Sequence, residues 1–167
     1  MKPILILGLG NLLQGDDGVG CRVVEELGEA TCQAPLPDEV EVMDGGTPGV
    51  GLLNLLDGRK RVILVDAAEM GIAPGEFRRF APQEITLTGS RERFSLHRSG
   101  VADALALANE LRIELPEIVF FGIQPASVEW RDSLSLSVHA AVPRVVEAVL
   151  NEVRLVQPWH LRSRQGK

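Results

Sequence analysis

The sequence predicts a three-layer α/β domain, and three observations carry that prediction. The runs Ile4 to Leu7, Val62 to Val65 and Ile118 to Phe121 are continuously apolar, which suits strands covered on both faces, as in parallel sheets. Between them lie stretches whose apolar residues recur at helical spacing. At 167 residues the chain suits one domain that buries roughly 70% of its unfolded surface. That domain is expected over residues 1–157, with 158–167 as a disordered tail.

A net charge of -6 without a strong basic run argues against nucleic acid as a partner. Met1-Lys2-Pro3 is followed by only a few apolar residues before Gly8, so neither a signal peptide, a membrane span nor a membrane partner is expected. Cys21 and Cys32 form no C-x-x-C pair and read as core or surface thiols in a reducing compartment. A cytoplasmic protein follows.

The first strand leads into Gly8-Leu9-Gly10-Asn11-Leu12-Leu13-Gln14-Gly15-Asp16-Asp17-Gly18-Val19-Gly20, a turn that opens a helix carrying Val19, Val23, Val24, Leu27 and Ala30 at helical spacing. Val40, Val42 and Met43 alternate with Glu39 and Glu41, as in a half-exposed strand at a sheet edge, which ends in the turn cluster Asp44-Gly45-Gly46-Thr47. A helix is predicted from near Thr47-Pro48 through Leu56. Val62 to Val65 closes on Asp66. Glu76 to Phe80 reads as a polar edge strand. The stretch from Pro82 to Arg98 has neither period, and long irregular connections of this kind are functional or mobile. A helix follows from about Ser99 to Leu111, then the strand ending near Gly122 and a loop through Trp130 and Asp132. The last helix is expected from Ser135 to Leu155, kinked or restarted at Pro143.

Ligands of such sheets bind outside the carboxyl ends of the strands. There the turn from Gly8 to Gly20 has three readings. Gly8-Leu9-Gly10 suggests a dinucleotide site, but Leu13 replaces the third glycine and two acids would repel a pyrophosphate. Asp16 or Asp17 could instead cap the helix. The third reading is a metal-binding or general-base carboxylate. Asp16, Asp17, Asp44 and Asp66 all follow strands or lead helices, and His97 lies on the irregular loop. Carboxylates with one imidazole suit a divalent transition ion, although each residue also has a plain structural role.

The blocks Gly8-Leu9-Gly10-Asn11 with Gly15-Asp16-Asp17-Gly18-Val19-Gly20, Asp44-Gly45-Gly46-Thr47, Val62-Ile63-Leu64-Val65-Asp66-Ala67, Ser95-Leu96-His97 with Gly100-Val101-Ala102-Asp103, and Gly122-Ile123-Gln124-Pro125 resemble the nickel-iron hydrogenase maturation endopeptidases. The resemblance spans the chain from Met1 to about Leu150. It implies a mixed five-stranded sheet, mostly parallel, in which the strand near Glu76 to Phe80 is the antiparallel edge. It also implies a peptide hydrolase that removes the C-terminal extension of a hydrogenase large-subunit precursor after nickel insertion.

Carried over by position, the resemblance implies that Asp17, Asp66 and His97 are the metal-binding and catalytic residues. Asp16, Asp44, Thr47 and Gln124 fall around them, to support the ligands or position substrate. The nickel would arrive in the precursor, another divalent ion being able to stand in for it. The partner would be that precursor, and the protease a monomer. His139 and His160 match no ligand of the family. Whether the nickel is catalytic or a recognition element stays open, as does a module that binds the same precursor without cutting it. A small-molecule hydrolase or nucleotide-binding protein rests on fold analogy alone.

Overall fold

The computed structural model describes residues 1–32, 35–84 and 100–155. Its elements are β1 (Ile4–Leu9), α1 (Val19–Thr31), β2 (Val40–Gly46), α2 (Leu52–Leu56), β3 (Arg61–Ala67), β4 (Phe77–Phe80), α3 (Val101–Leu111), β5 (Glu117–Ile123) and α4 (Leu136–Leu155). The strands form one sheet in the order β2-β1-β3-β5-β4. All neighbours are parallel except β4, which pairs antiparallel with β5, Phe77 opposite Ile123 and Phe80 opposite Phe120. The expected mixed five-stranded sheet is thus present.

Each continuous apolar strand serves two cores, because successive side chains point to opposite faces. Ile6, Ile63, Val65, Val119 and Phe121 pack with Val23 and Leu27 of α1 and with Val138, Val142, Val145 and Val149 of α4. Leu5, Leu7, Val62, Leu64 and Phe120 pack on the opposite face with Leu52 and Leu56 of α2 and with Val101 and Ala104 of α3. The chain leaves β1 for β2 over one face and returns past β1 to β3 over the other. That reversal opens a crevice between the carboxyl ends of β1 and β3.

Several boundaries differ from the sequence reading. β2 runs on through Asp44, Gly45 and Gly46, because a bulge at Gly45, opposite the step from Gly8 to Leu9, lets Leu9 pair with Gly46. The helix expected from Thr47 is only five residues long, preceded by a 3-10 turn at Gly49–Gly51 and closed at Gly58. Gly49 and Gly58 both have positive φ, and glycine is a poor helix former. Helix α4 passes through Pro143 without a second start, since Pro143 is exposed and water can satisfy the carbonyl left without a donor. The irregular stretch begins with a 3-10 turn at Pro82–Glu84. Its remainder, including Ser95 and His97, and the tail with His160 lie outside the described residues.

Candidate functional site

The crevice is built by close backbone approach. Helix α1 starts directly over the strand ends, because a Cβ on Gly20 would lie 2.1 Å from Val65 O and 2.3 Å from Leu9 O. Only glycine permits that contact. Gly10, at φ +123°, likewise leaves no room for a side chain against Asp17 O. These contacts hold the 3-10 turn Gly15–Gly18, with both acids, against the sheet.

Neither acid caps a helix. No side-chain capping bond is made at the start of the 3-10 turn or of α1, so the capping reading does not hold. Asp17, 4% exposed, accepts a hydrogen bond on Oδ2 from Asn11 N–H at 3.0 Å. Asp66, 3% exposed at the end of β3, accepts on Oδ1 from Ala67 N–H at 2.8 Å. The 3-10 turn packs on β3, so both carboxylates reach the same edge of the sheet.

Asp16 behaves differently from its neighbour. It is fully buried, and its oxygens accept from Ser135 N–H at 2.6 Å, Ala126 N–H at 2.8 Å, Ser127 N–H at 3.1 Å and Ser135 Oγ at 2.8 Å. Burial alone would raise its pKa, but the hydrogen bonds from Ser135, Ala126 and Ser127 outweigh it and hold the carboxyl below the usual range. Both oxygens are therefore occupied in tying the loop after β5 to the loop after β1. The paired acids divide their work: one braces loops, and the other is held at the crevice by a single backbone amide.

Asp44 is exposed and closes an Asx turn, accepting from Gly46 N–H at 2.9 Å; Thr47 beside it is also exposed. Gln124 is buried and fastens the β3 to β4 loop: its Oε1 accepts from Met70 N–H at 2.7 Å and its Nε2 donates to Glu69 at 2.8 Å. Cys21, read from the sequence as a core or surface thiol, is buried, and its thiol reaches back from α1 and donates to Gly10 O at 3.4 Å. Burial, the adjoining Asp44 carboxylate and the charge of Asp66 push this thiol up to about 12. It remains protonated at neutral pH and so lacks the thiolate a nucleophile needs. His139 is an exposed residue of α4, as expected.

The described residues contain no group of three His, Cys, Asp or Glu side chains placed to hold a metal ion. They supply two buried carboxylates, Asp17 from the 3-10 turn and Asp66 from the end of β3, and His97, the expected third ligand, lies outside them. Oxygen donors at an open crevice suit a hard or borderline divalent cation and disfavour a phosphate. Among the described residues no helix is long and apolar enough to cross a membrane.

Fold and site together define a doubly wound α/β protein with an acidic centre at its topological switch point. The chain belongs to the hydrogenase maturation protease family, whose sequence pattern matches residues 21–152. It is 35% identical over 153 residues to the hydrogenase 2 maturation protease of Escherichia coli, covering 90% of each chain. It is also 40% identical over 126 residues to the hydrogenase expression/formation protein HupM of Azotobacter chroococcum; that match takes in 75% of this chain and 59% of HupM's length. Solved structures share the fold, among them the two that follow. The hydrogenase maturating endopeptidase HybD from E. coli superposes with a TM-score of 0.77 at 34% identity over 94% of both chains. A nickel-iron hydrogenase maturation protease from Thermococcus kodakarensis gives 0.70 at 32% identity, over 92% of this chain and 99% of its own.

Proposed function

We propose that this protein is an endopeptidase that removes the C-terminal extension of a nickel-iron hydrogenase large-subunit precursor after nickel insertion. The observation that carries the reading is the placement of Asp66 at the carboxyl end of β3 and of Asp17 on the 3-10 turn that packs against β3, both nearly fully buried. Retaining two acids there against the cost of desolvation calls for a cationic ligand. Asp17 serves as ligand in preference to Asp16, whose oxygens are already filled. Asp66 and His97 complete the set. Asp44 and Thr47 line the approach beside the strand ends, and Gln124 steadies the β3 to β4 loop.

The nickel belongs to the substrate. Two carboxylates and one imidazole, without a thiolate, form an open set that holds a free ion weakly, whereas an ion already fixed in the precursor makes metal and peptide one ligand. Nickel bound there can polarise a carbonyl or a water and so lower the barrier to hydrolysis. Water is the nucleophile in this reading, because the Cys21 thiol stays protonated. The protease acts as a monomer in the cytoplasm.

The test is to incubate the protein with nickel-loaded precursor, and separately with nickel-free precursor under a chelator, and to follow the precursor mass. Loss of the C-terminal peptide from the loaded form alone is expected. Equal cleavage of both forms overturns the requirement for nickel. An unchanged mass with tight association identifies a binding module that does not cut.

A further inference from the structure

The residues from Leu12 to Asp16 and from Ala126 to Ser135 form two surface loops bonded to each other along their length. Gly15 N–H donates to Arg131 O at 2.7 Å, Arg131 N–H to Leu13 O at 3.0 Å, and Asp16 N–H to Ser127 O at 3.2 Å. The buried Asp16 carboxylate binds the second loop at Ala126, Ser127 and Ser135. This ordered pair nevertheless presents large apolar side chains to water, Leu13 at 52% exposed and Trp130 at 79%, and Leu136, the first residue of α4 directly after Ser135, is 91% exposed. Single exposed leucines are ordinary, but two such side chains on one braced pair of loops, one a tryptophan, with a third on the adjoining first residue of α4, mark a contact surface.

We infer that these two loops are the docking surface for the folded body of the large-subunit precursor, with Trp130 and Leu13 as its apolar anchors; the inference rests on the functional reading above. Continuity with the crevice selects this occupant. Asn11, which binds Asp17, directly precedes Leu12, and Asp16 directly precedes Asp17, so a body that brings a metal to Asp17 also meets these loops. A specific protein complex buries about 800 Å² per partner, far more than two carboxylates at a strand end can offer, so contacts beyond the crevice are required. Bracing the loops through Asp16 removes most of the ordering cost before the partner arrives. Tryptophan is the residue type most enriched among energetically dominant contacts.

The experiment compares the wild-type chain with Trp130→Glu and Leu13→Glu on nickel-loaded precursor, with Leu111→Glu as a control. Leu111, 62% exposed, closes α3 at the opposite end of the sheet. Each loop variant should raise KM by about tenfold or more, the loss of one anchor, with kcat within about twofold of wild type. The control should change neither constant. Circular dichroism verifies folding, and Trp130→Ala replaces any variant that fails to fold. Wild-type KM in both loop variants overturns the inference. So does a change in oligomeric state on light scattering without a change in KM, which would make the surface a contact between copies of this chain. If the wild-type chain binds the precursor without cutting it, the proteolytic reading falls and docking is read from Kd. Weakening by about tenfold in the loop variants then upholds the surface, and an equal Kd or no binding overturns it.

Discussion

The two ends of the sheet both bury carboxylates, but they satisfy them differently. At the amino end Glu152 of α4 is held by guanidinium groups: Arg79 binds it in a fork at 2.7 and 2.9 Å, and Arg61, at the start of β3, binds it as well. Arg61 also reaches Glu117 at 2.9 Å. At the carboxyl end Asp17 accepts from the Asn11 amide and Asp66 from the Ala67 amide. A carboxylate matched by guanidinium charge is a brace between helix and sheet. Among the described residues Asp17 has no guanidinium partner; its carboxylate is held by a peptide dipole.

This contrast breaks most sharply in activity. Asp66→Asn and Asp17→Asn should each lower cleavage of nickel-loaded precursor by about 10²-fold or more, while the melting temperature stays close to that of the wild type. Steady-state kinetics beside thermal unfolding would check this. Normal cleavage by either variant would place both acids among the structural groups.

Glu152→Ala should do the reverse. Removing the shared carboxylate leaves the buried Arg61 with Glu117 alone and frees Arg79, so stability should fall by about 2 kcal/mol, with kcat of the folded fraction unchanged. Titration adds an independent check. Arg79, and then Arg61, hold the Glu152 carboxyl below its ordinary value of 4.5 against the opposing effect of burial. Its stabilisation is therefore complete above that pH and is lost as pH falls through the lower native value. Chemical denaturation between pH 3 and 7 should show a flatter acid limb for Glu152→Gln than for the wild type. The residual slope belongs partly to Asp16, which is lowered in the same sense by its hydrogen bonds.

The smallest effect is expected at Cys21. Cys21→Ala should leave cleavage within about twofold of wild type and cost about 1 kcal/mol of stability, because the thiol packs beneath the strand ends and stays protonated. Loss of cleavage without loss of fold would make this thiol the nucleophile and recast the carboxyl end as a thiol site.

Much of this was legible in the chain alone. The continuous runs at Ile4, Val62 and Ile118 became the three central parallel strands, because only a strand buried on both faces has use for unbroken apolar residues. The polar alternation of β2 and the short β4 placed these strands at the edges. Asp66 stood out as an acid ending a buried strand, a position that sequence order alone reveals.

Tertiary structure decided the rest. Asp16 and Asp17 are the same residue type side by side, and nothing local separates them. Their roles diverge because the loop from Ala126 to Ser135, more than a hundred positions away, arrives over one carboxylate and fills it. The length of β2 depended on a bulge at its own Gly45, and the brevity of α2 on glycines whose φ only the folded chain reveals. Periodicity records which faces are buried. Which donor meets which acceptor is settled by contacts between segments remote in sequence, and these exist only once the sheet has formed.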